Sequence, residues 1–179
     1  MGITILPQDE ELRTESEHQR TLAACYIQWI EAGEPEEEKG QYEKYPAGIN
    51  TACEAMIDWV YNQSKRYLKE GKIVGLLGGD HSTPLGLIKA MADAHNAFGI
   101  LQIDAHADLR PAYEGFEYSH ASIAYNFMKI PQVKKLVQVG IRDFCEQEWE
   151  YIQFESRVSL FSDNQLKEEM FQGVNWSEL

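Results

Sequence analysis

The sequence predicts an α/β domain built on a mainly parallel sheet. Short apolar runs rich in branched residues recur through its second half, segments of helical apolar spacing separate them, and Gly, Asp and Ser gather where one gives way to the other. At 179 residues the chain is long enough for a single domain, 1–179, with its own core.

The first helix is expected over Glu10–Ile30, where Leu12, Leu22, Ile27 and Ile30 are among the apolar positions. The stretch Glu31–Gly40, crowded with Glu and broken by Gly33 and Pro35, reads as a solvated loop or a frayed helix end. Ile49, Cys53, Met56, Val60 and Tyr67 share one helical face, so a second helix runs from Ile49 to Glu70, with Gly71 as its C-cap. Lys72–Leu77 reads as a buried strand broken by Gly78-Gly79, and Pro84 suits the first turn of a helix reaching about His95. Further strands are expected at Phe98–Ile103, Leu136–Val139 and Arg157–Phe161. Ser162 and Gln165 form a capping box for a helix over Asp163–Phe171.

Composition narrows the function. There are 29 acidic and 16 basic residues, a formal net charge of −13, which disfavours a nucleic-acid partner and favours cations. No apolar run is long enough to span a membrane, and the start, Met1-Gly-Ile-Thr-Ile-Leu, runs into charge at once, unlike a signal peptide. Cys25, Cys53 and Cys145 are odd in number and far apart, with no C-x-x-C spacing. A disulfide framework and a thiolate zinc site are disfavoured, and a reducing cytoplasm is the expected compartment.

Ligands of a parallel sheet gather at the carboxyl ends of its strands. Two expected strands end in metal-binding residue types: Gly78-Gly-Asp-His81, and Asp104-Ala-His-Ala-Asp108. In an extended segment alternate side chains point the same way, so Asp104, His106 and Asp108 converge with only Ala between them. His81 adds a ligand from the neighbouring strand, while Asp80 points away and is expected to shape the turn or support a ligand. Imidazole and carboxylate together suit Mn²⁺, Zn²⁺, Fe²⁺ or Co²⁺, and the oxygen-rich set favours Mn²⁺. Two ions sharing a water lower its pKa and supply hydroxide near neutral pH.

Gly78-Gly-Asp-His-Ser82 and Asp104-Ala-His-Ala-Asp-Leu-Arg110 resemble two signature motifs of the ureohydrolases: arginase, agmatinase, guanidinobutyrase and formimidoylglutamase. Tyr118-Ser-His-Ala-Ser122 and Val139-Gly-Ile-Arg142 extend the resemblance, and the wording Phe116-Glu-Tyr-Ser-His-Ala-Ser is more like agmatinases than arginases. The resemblance implies a three-layer αβα fold and two Mn²⁺ per site. His81, Asp104 and Asp108 would hold one ion, and His106 with a bridging Asp104 the other. It implies that His120 relays protons near the substrate, a small cationic guanidino compound. The expected reaction is hydrolysis of a guanidino or amidino C–N bond, from agmatine to putrescine and urea, with formimidoylglutamate, arginine or guanidinobutyrate as alternative substrates. A non-catalytic scaffold is the alternative of another class.

The family's third motif, Ser-x-Asp-x-Asp followed by Asp-Pro, has no counterpart after Arg142. The expectation is therefore an interior, incomplete piece of a ureohydrolase domain, homo-oligomeric when full-length, with its remaining carboxylate ligands outside this chain and its activity impaired when alone.

Overall fold

The structure is a computed structural model that describes residues 2–177. Met1 and Glu178-Leu179, which enter the reading of the two chain ends, lie outside the described residues. Among the described residues two compact units are present: residues 2–56 with 114–116, and residues 57–113 with 117–177.

The first unit is helical. Helix α1 (Glu10–Glu31) begins where the Asp9 carboxylate accepts from Glu11 N and Leu12 N at 3.0 and 3.1 Å, satisfying amides that the helix itself cannot. Trp29 is buried and stacks on Tyr42 at 5.8 Å, and its indole N–H donates to the Pro35 carbonyl. The acidic stretch after α1 is a loop that leads into the short helix α2 (Lys39–Tyr42). Helix α3 (Tyr45–Lys69), whose residues from Ile57 onward belong to the second unit, starts four residues before its expected limit; Pro46 suits its first turn, where a backbone N–H would have no carbonyl to meet. Its end is as expected. Gly71 adopts φ +71°, its N–H bonds to Leu68 O, and Lys72 N bonds to Tyr67 O, a closure that needs a residue free of Cβ strain.

The second unit holds the sheet. Strands β1 (Phe98–Ile103), β2 (Val133–Ile141) and β3 (Val158–Ser162) lie in the order β1-β2-β3, all parallel. Helix α4 (Leu85–Ala94) precedes β1; a 3₁₀ turn (His120–Ser122) and helix α5 (Ile123–Met128) follow it. Helix α6 (Glu146–Phe154) joins β2 to β3, and α7 (Asp163–Phe171) follows β3. The α/β class and the parallel sheet are as expected. The Ser162 hydroxyl caps α7 by accepting from Gln165 N at 3.2 Å, but the Gln165 side chain donates along the helix to Glu169, so half of the capping box forms.

One expectation is corrected. Lys72–Leu77 joins no strand among the described residues, and Ile73 and Leu77 are 100% and 90% exposed. Apolar content gives a segment a reason to be buried, but a strand exists only where a neighbour supplies ladder hydrogen bonds. The same asymmetry marks β1. Gln102 is buried, whereas Leu101 and Ile103, on the other face, are 63% and 77% exposed.

Candidate metal centre

The site forms beyond the carboxyl end of β1. Alternation stops at Ile103, and the chain leaves the extended form that the spacing of Asp104, His106 and Asp108 suggests. Asp104 Oδ1 accepts from His106 N at 2.9 Å, closing a tight turn, and Asp108 sits at φ +55°. The segment keeps company with the end of β2: Asp104 N bonds to Val139 O, while Arg142 N and Asp143 N both bond to Ala105 O. Gly140 makes this possible. It lies at φ +87° where the β2–β3 register slips, and a Cβ on it would stand 3.3 Å from the Asp104 carbonyl.

A left-handed conformation costs a residue other than Gly about 1–2 kcal/mol, so Asp108 must be held from outside. Its carbonyl accepts from Ala124 N and Tyr125 N at the start of α5, at 3.0 and 3.2 Å. The next amide, Leu109 N, donates to Glu148 Oε1 at 2.9 Å. Glu148, only 3% exposed, also accepts from Cys145 N at 2.8 Å and from Arg110 Nε at 3.4 Å. One buried carboxylate on α6 therefore ties the Asp108 turn to the loop after β2.

His81 arrives from the turn before α4. Asp80 makes that turn, its Oδ1 accepting from both Ser82 N and Ser82 Oγ, the turn-shaping role the sequence suggested. His81 Nδ1 then lies 2.6 Å from Asp108 Oδ2 and 3.1 Å from Asp104 Oδ2. The bond to Asp108 raises the His81 pKa against the lowering effect of its burial, and burial pushes the Asp108 carboxyl up against the effect of His81.

One donor atom from each of His81, Asp104 and Asp108 lies within 4.8 Å of the others. Ligand atoms about 2.1 Å from a single ion stand at most about 4.2 Å apart. Small side-chain adjustments therefore close the trio on a cation, and the imidazole and two carboxylates are donors that a divalent ion accepts. His106 is outside the trio. It is 61% exposed at the side chain, with Nδ1 3.3 Å from Asp104 Oδ1 and Nε2 3.9 Å from Asp143 Oδ2, so it meets the trio through Asp104. His120 is also outside; it opens the 3₁₀ turn, and its ring centroid lies 6.2 Å from that of Tyr113.

Three polar residues behind the site escaped the sequence reading: Gln102, Gln138 and Glu148. A signal for the first two was present. Each is a lone amide inside an apolar strand, Ile-Leu-Gln-Ile and Leu-Val-Gln-Val, and a buried amide needs partners. Glu148 follows Cys145 by three residues at a helix start, the spacing of an N-terminal capping residue.

The model of the arginase family matches residues 10–175. The chain belongs to the arginase family. It is 39% identical over 114 residues to an N(1)-aminopropylagmatine ureohydrolase of Thermus thermophilus, covering 63% of this chain and 38% of that one. Among solved structures, the agmatine ureohydrolase of Thermoplasma volcanium matches with a TM-score of 0.56 and 27% identity, over 68% of this chain and 42% of its own. The arginase of Medicago truncatula matches with a TM-score of 0.59 and 26% identity, over 71% and 42%. This arginase-family chain thus spans about two-fifths of the length of such relatives. Among its described residues no helix is long and apolar enough to cross a membrane.

Proposed function

We propose that the protein carrying this chain is a Mn²⁺-dependent ureohydrolase that cleaves a guanidino C–N bond, with agmatine as substrate and putrescine and urea as products. The observation that carries the reading is the convergence of His81, Asp104 and Asp108 at the carboxyl end of a parallel strand in an arginase-family chain. Relatives named for agmatine and aminopropylagmatine support the substrate. The net charge of −13 supports a cationic one.

In this reading His81, Asp104 and Asp108 hold one Mn²⁺, and His106 with Asp104 holds a second. Bound there, the ions supply water activated near neutral pH and offset charge that develops on the guanidino carbon's substituents. The chain's own residues orient that chemistry. Asp104, between His81 and His106, has one carboxyl oxygen toward each. The Asp108 carbonyl is held by amides at the start of α5, and the next amide, Leu109 N, by Glu148. His120 protonates the departing amine nitrogen. Water adds to the guanidino carbon, the bond to the chain nitrogen breaks, and urea and a primary amine leave. The chain is the central part of a single ureohydrolase domain that works in the cytoplasm as a homo-oligomer.

The test has two parts. Mn²⁺ titration of the chain is expected to show saturable binding that His81→Ala removes; a chain that binds no Mn²⁺ favours the scaffold and overturns the reading. The full-length protein is then assayed with agmatine, aminopropylagmatine, arginine, guanidinobutyrate and formimidoylglutamate. Urea release fastest from agmatine is expected, and a preference for any other member of the panel reassigns the substrate.

A further inference from the structure

Two glutamines occupy the middle of the sheet, where apolar side chains are the rule. Gln102 on β1 is 5% exposed and Gln138 on β2 is 0% exposed, and they face each other in register. Their partners give the pair a direction. Gln138 Nε2 donates to the Ala107 carbonyl at 2.7 Å and to Gln102 Oε1 at 3.0 Å. Gln102 Nε2 donates to the His106 carbonyl and to Asp108 Oδ2, both at 3.3 Å.

Backbone carbonyls only accept, so Ala107 O and His106 O set which end of each amide points at the loop. Turning Gln138 over would place its oxygen against two other oxygens, and turning Gln102 over would place its oxygen against Asp108. The arrangement leaves Gln138 Oε1 buried without a partner. A buried acceptor is rarely left unmade unless the opposite end of the group is needed. Here that end is the donor pair aimed at the 106–108 segment.

We propose that Gln138 and Gln102 form a directed amide relay that positions Asp108 as a metal ligand. Gln102 touches the ligand; Gln138 is a positioning residue that acts through Gln102 and through the Ala107 carbonyl. The inference rests on the metal reading above and deepens it. The relay explains how a carboxylate at a left-handed residue keeps one orientation: Gln102 and His81 both meet Oδ2, which leaves Oδ1 unencumbered by either. Neither glutamine reaches the other two members of the trio through any of these bonds, so the effect is specific to Asp108.

The experiment compares the 179-residue chain with Gln102→Met and Gln138→Met, which keep side-chain length and remove the donors. Mn²⁺ affinity is read from the electron paramagnetic resonance signal of free Mn²⁺, and folding from the thermal midpoint. Loss of a hydrogen-bond partner of a metal ligand lowers affinity about 10- to 100-fold, and that is the effect expected for Gln102→Met. Gln138→Met is expected to weaken binding although it touches no ligand, and the double variant to fall short of the product of the two effects. Val60→Ala, a core change remote from the relay, should lower the thermal midpoint with Mn²⁺ affinity intact. Wild-type affinity in Gln102→Met, or a Gln138→Met variant that loses only thermal stability, overturns the relay. The metal-free chain tests the relay separately. Gln138→Met should shift the Gln102 side-chain amide resonances, and unchanged resonances overturn it. Failure of the unsubstituted chain to bind Mn²⁺ instead overturns the metal reading and the Asp108 role with it.

Discussion

His81 Nδ1 and Asp108 Oδ2 stand 2.6 Å apart, joining a turn before α4 to the loop after β1. The contact draws together the turn that carries His81 and the loop that carries Asp108, 27 residues apart. The same two side chains belong to the trio whose donor atoms converge, so one side chain from each motif is available both to this contact and to a cation.

Removing the imidazole therefore has two separable consequences. His81→Ala is expected to abolish saturable Mn²⁺ binding, because a nitrogen ligand is lost. It is also expected to destabilise the metal-free chain by about 1–3 kcal/mol, because the buried Asp108 carboxylate loses its shortest partner. Mn²⁺ titration checks the first, and urea denaturation without metal checks the second.

Glu148 governs the loop from behind. Glu148→Ala orphans Leu109 N and Cys145 N and leaves the Arg110 guanidinium without its carboxylate. The expected loss is about 3 kcal/mol in urea denaturation. Glu148→Gln keeps one acceptor oxygen and is expected to lose less. Equal losses in the two variants would show that packing, not hydrogen bonding, is Glu148's contribution.

The close approach of α3 and α4 depends on Gly86. A Cβ there would lie 2.4 Å from the Ile57 carbonyl and 2.7 Å from Val60 Cβ. Gly86→Ala raises helix propensity, yet the helices must separate to admit it. The expected net effect is a destabilisation of about 1–3 kcal/mol, seen as a lower thermal midpoint. A higher midpoint would show that the helices part freely.

The same helix pair carries a pH-sensitive contact. Lys65 Nζ lies 2.5 Å from Asp93 Oδ2, and the Tyr61 hydroxyl donates to the same oxygen. The lysine bond holds the Asp93 carboxyl below its usual 3.8, and the Asp93 bond pushes Lys65 up to about 12. A lowered acid contributes stability above its unfolded pKa and loses it as pH falls through the folded value; a raised base keeps its contribution below its unfolded pKa and loses it as pH rises through the folded one. The stability difference between the unsubstituted chain and Asp93→Asn should therefore be constant near neutrality, shrink below the usual carboxylate pKa, and shrink again as pH approaches about 12. Urea denaturation across pH measures it, and a difference independent of pH would exclude the ion pair as its source.

Much of the candidate site was legible before folding because it is local. Asp104, His106 and Asp108 sit within five residues, His81 follows a Gly-Gly break, and Asp80 shapes the turn as its type and place suggested. Helix ends were legible for the same reason: Gly71 and Ser162 act through bonds to residues five or fewer positions away. The alternation argument for Asp104–Asp108 reached the right neighbourhood through the wrong backbone. The segment turns instead of running straight, because Asp104 accepts from His106 N and Asp108 adopts a positive φ.

By itself the sequence determined the α/β class, helices α1, α3, α4 and α7 and the three strands, since periodicity, caps and breakers act over a few residues, whereas it did not mark the limits of α2, α5 or α6. It also determined which side chains are available to a cation. Tertiary structure alone decided that Lys72–Leu77 lies unpaired and that His106 stands aside from the trio. It alone placed Gln102, Gln138 and Glu148 behind Asp108. The physical reason is distance along the chain. Ladder bonds, buried amides and a carboxylate 39 positions from the amide it holds depend on segments that meet only after folding, so no short window of sequence contains them.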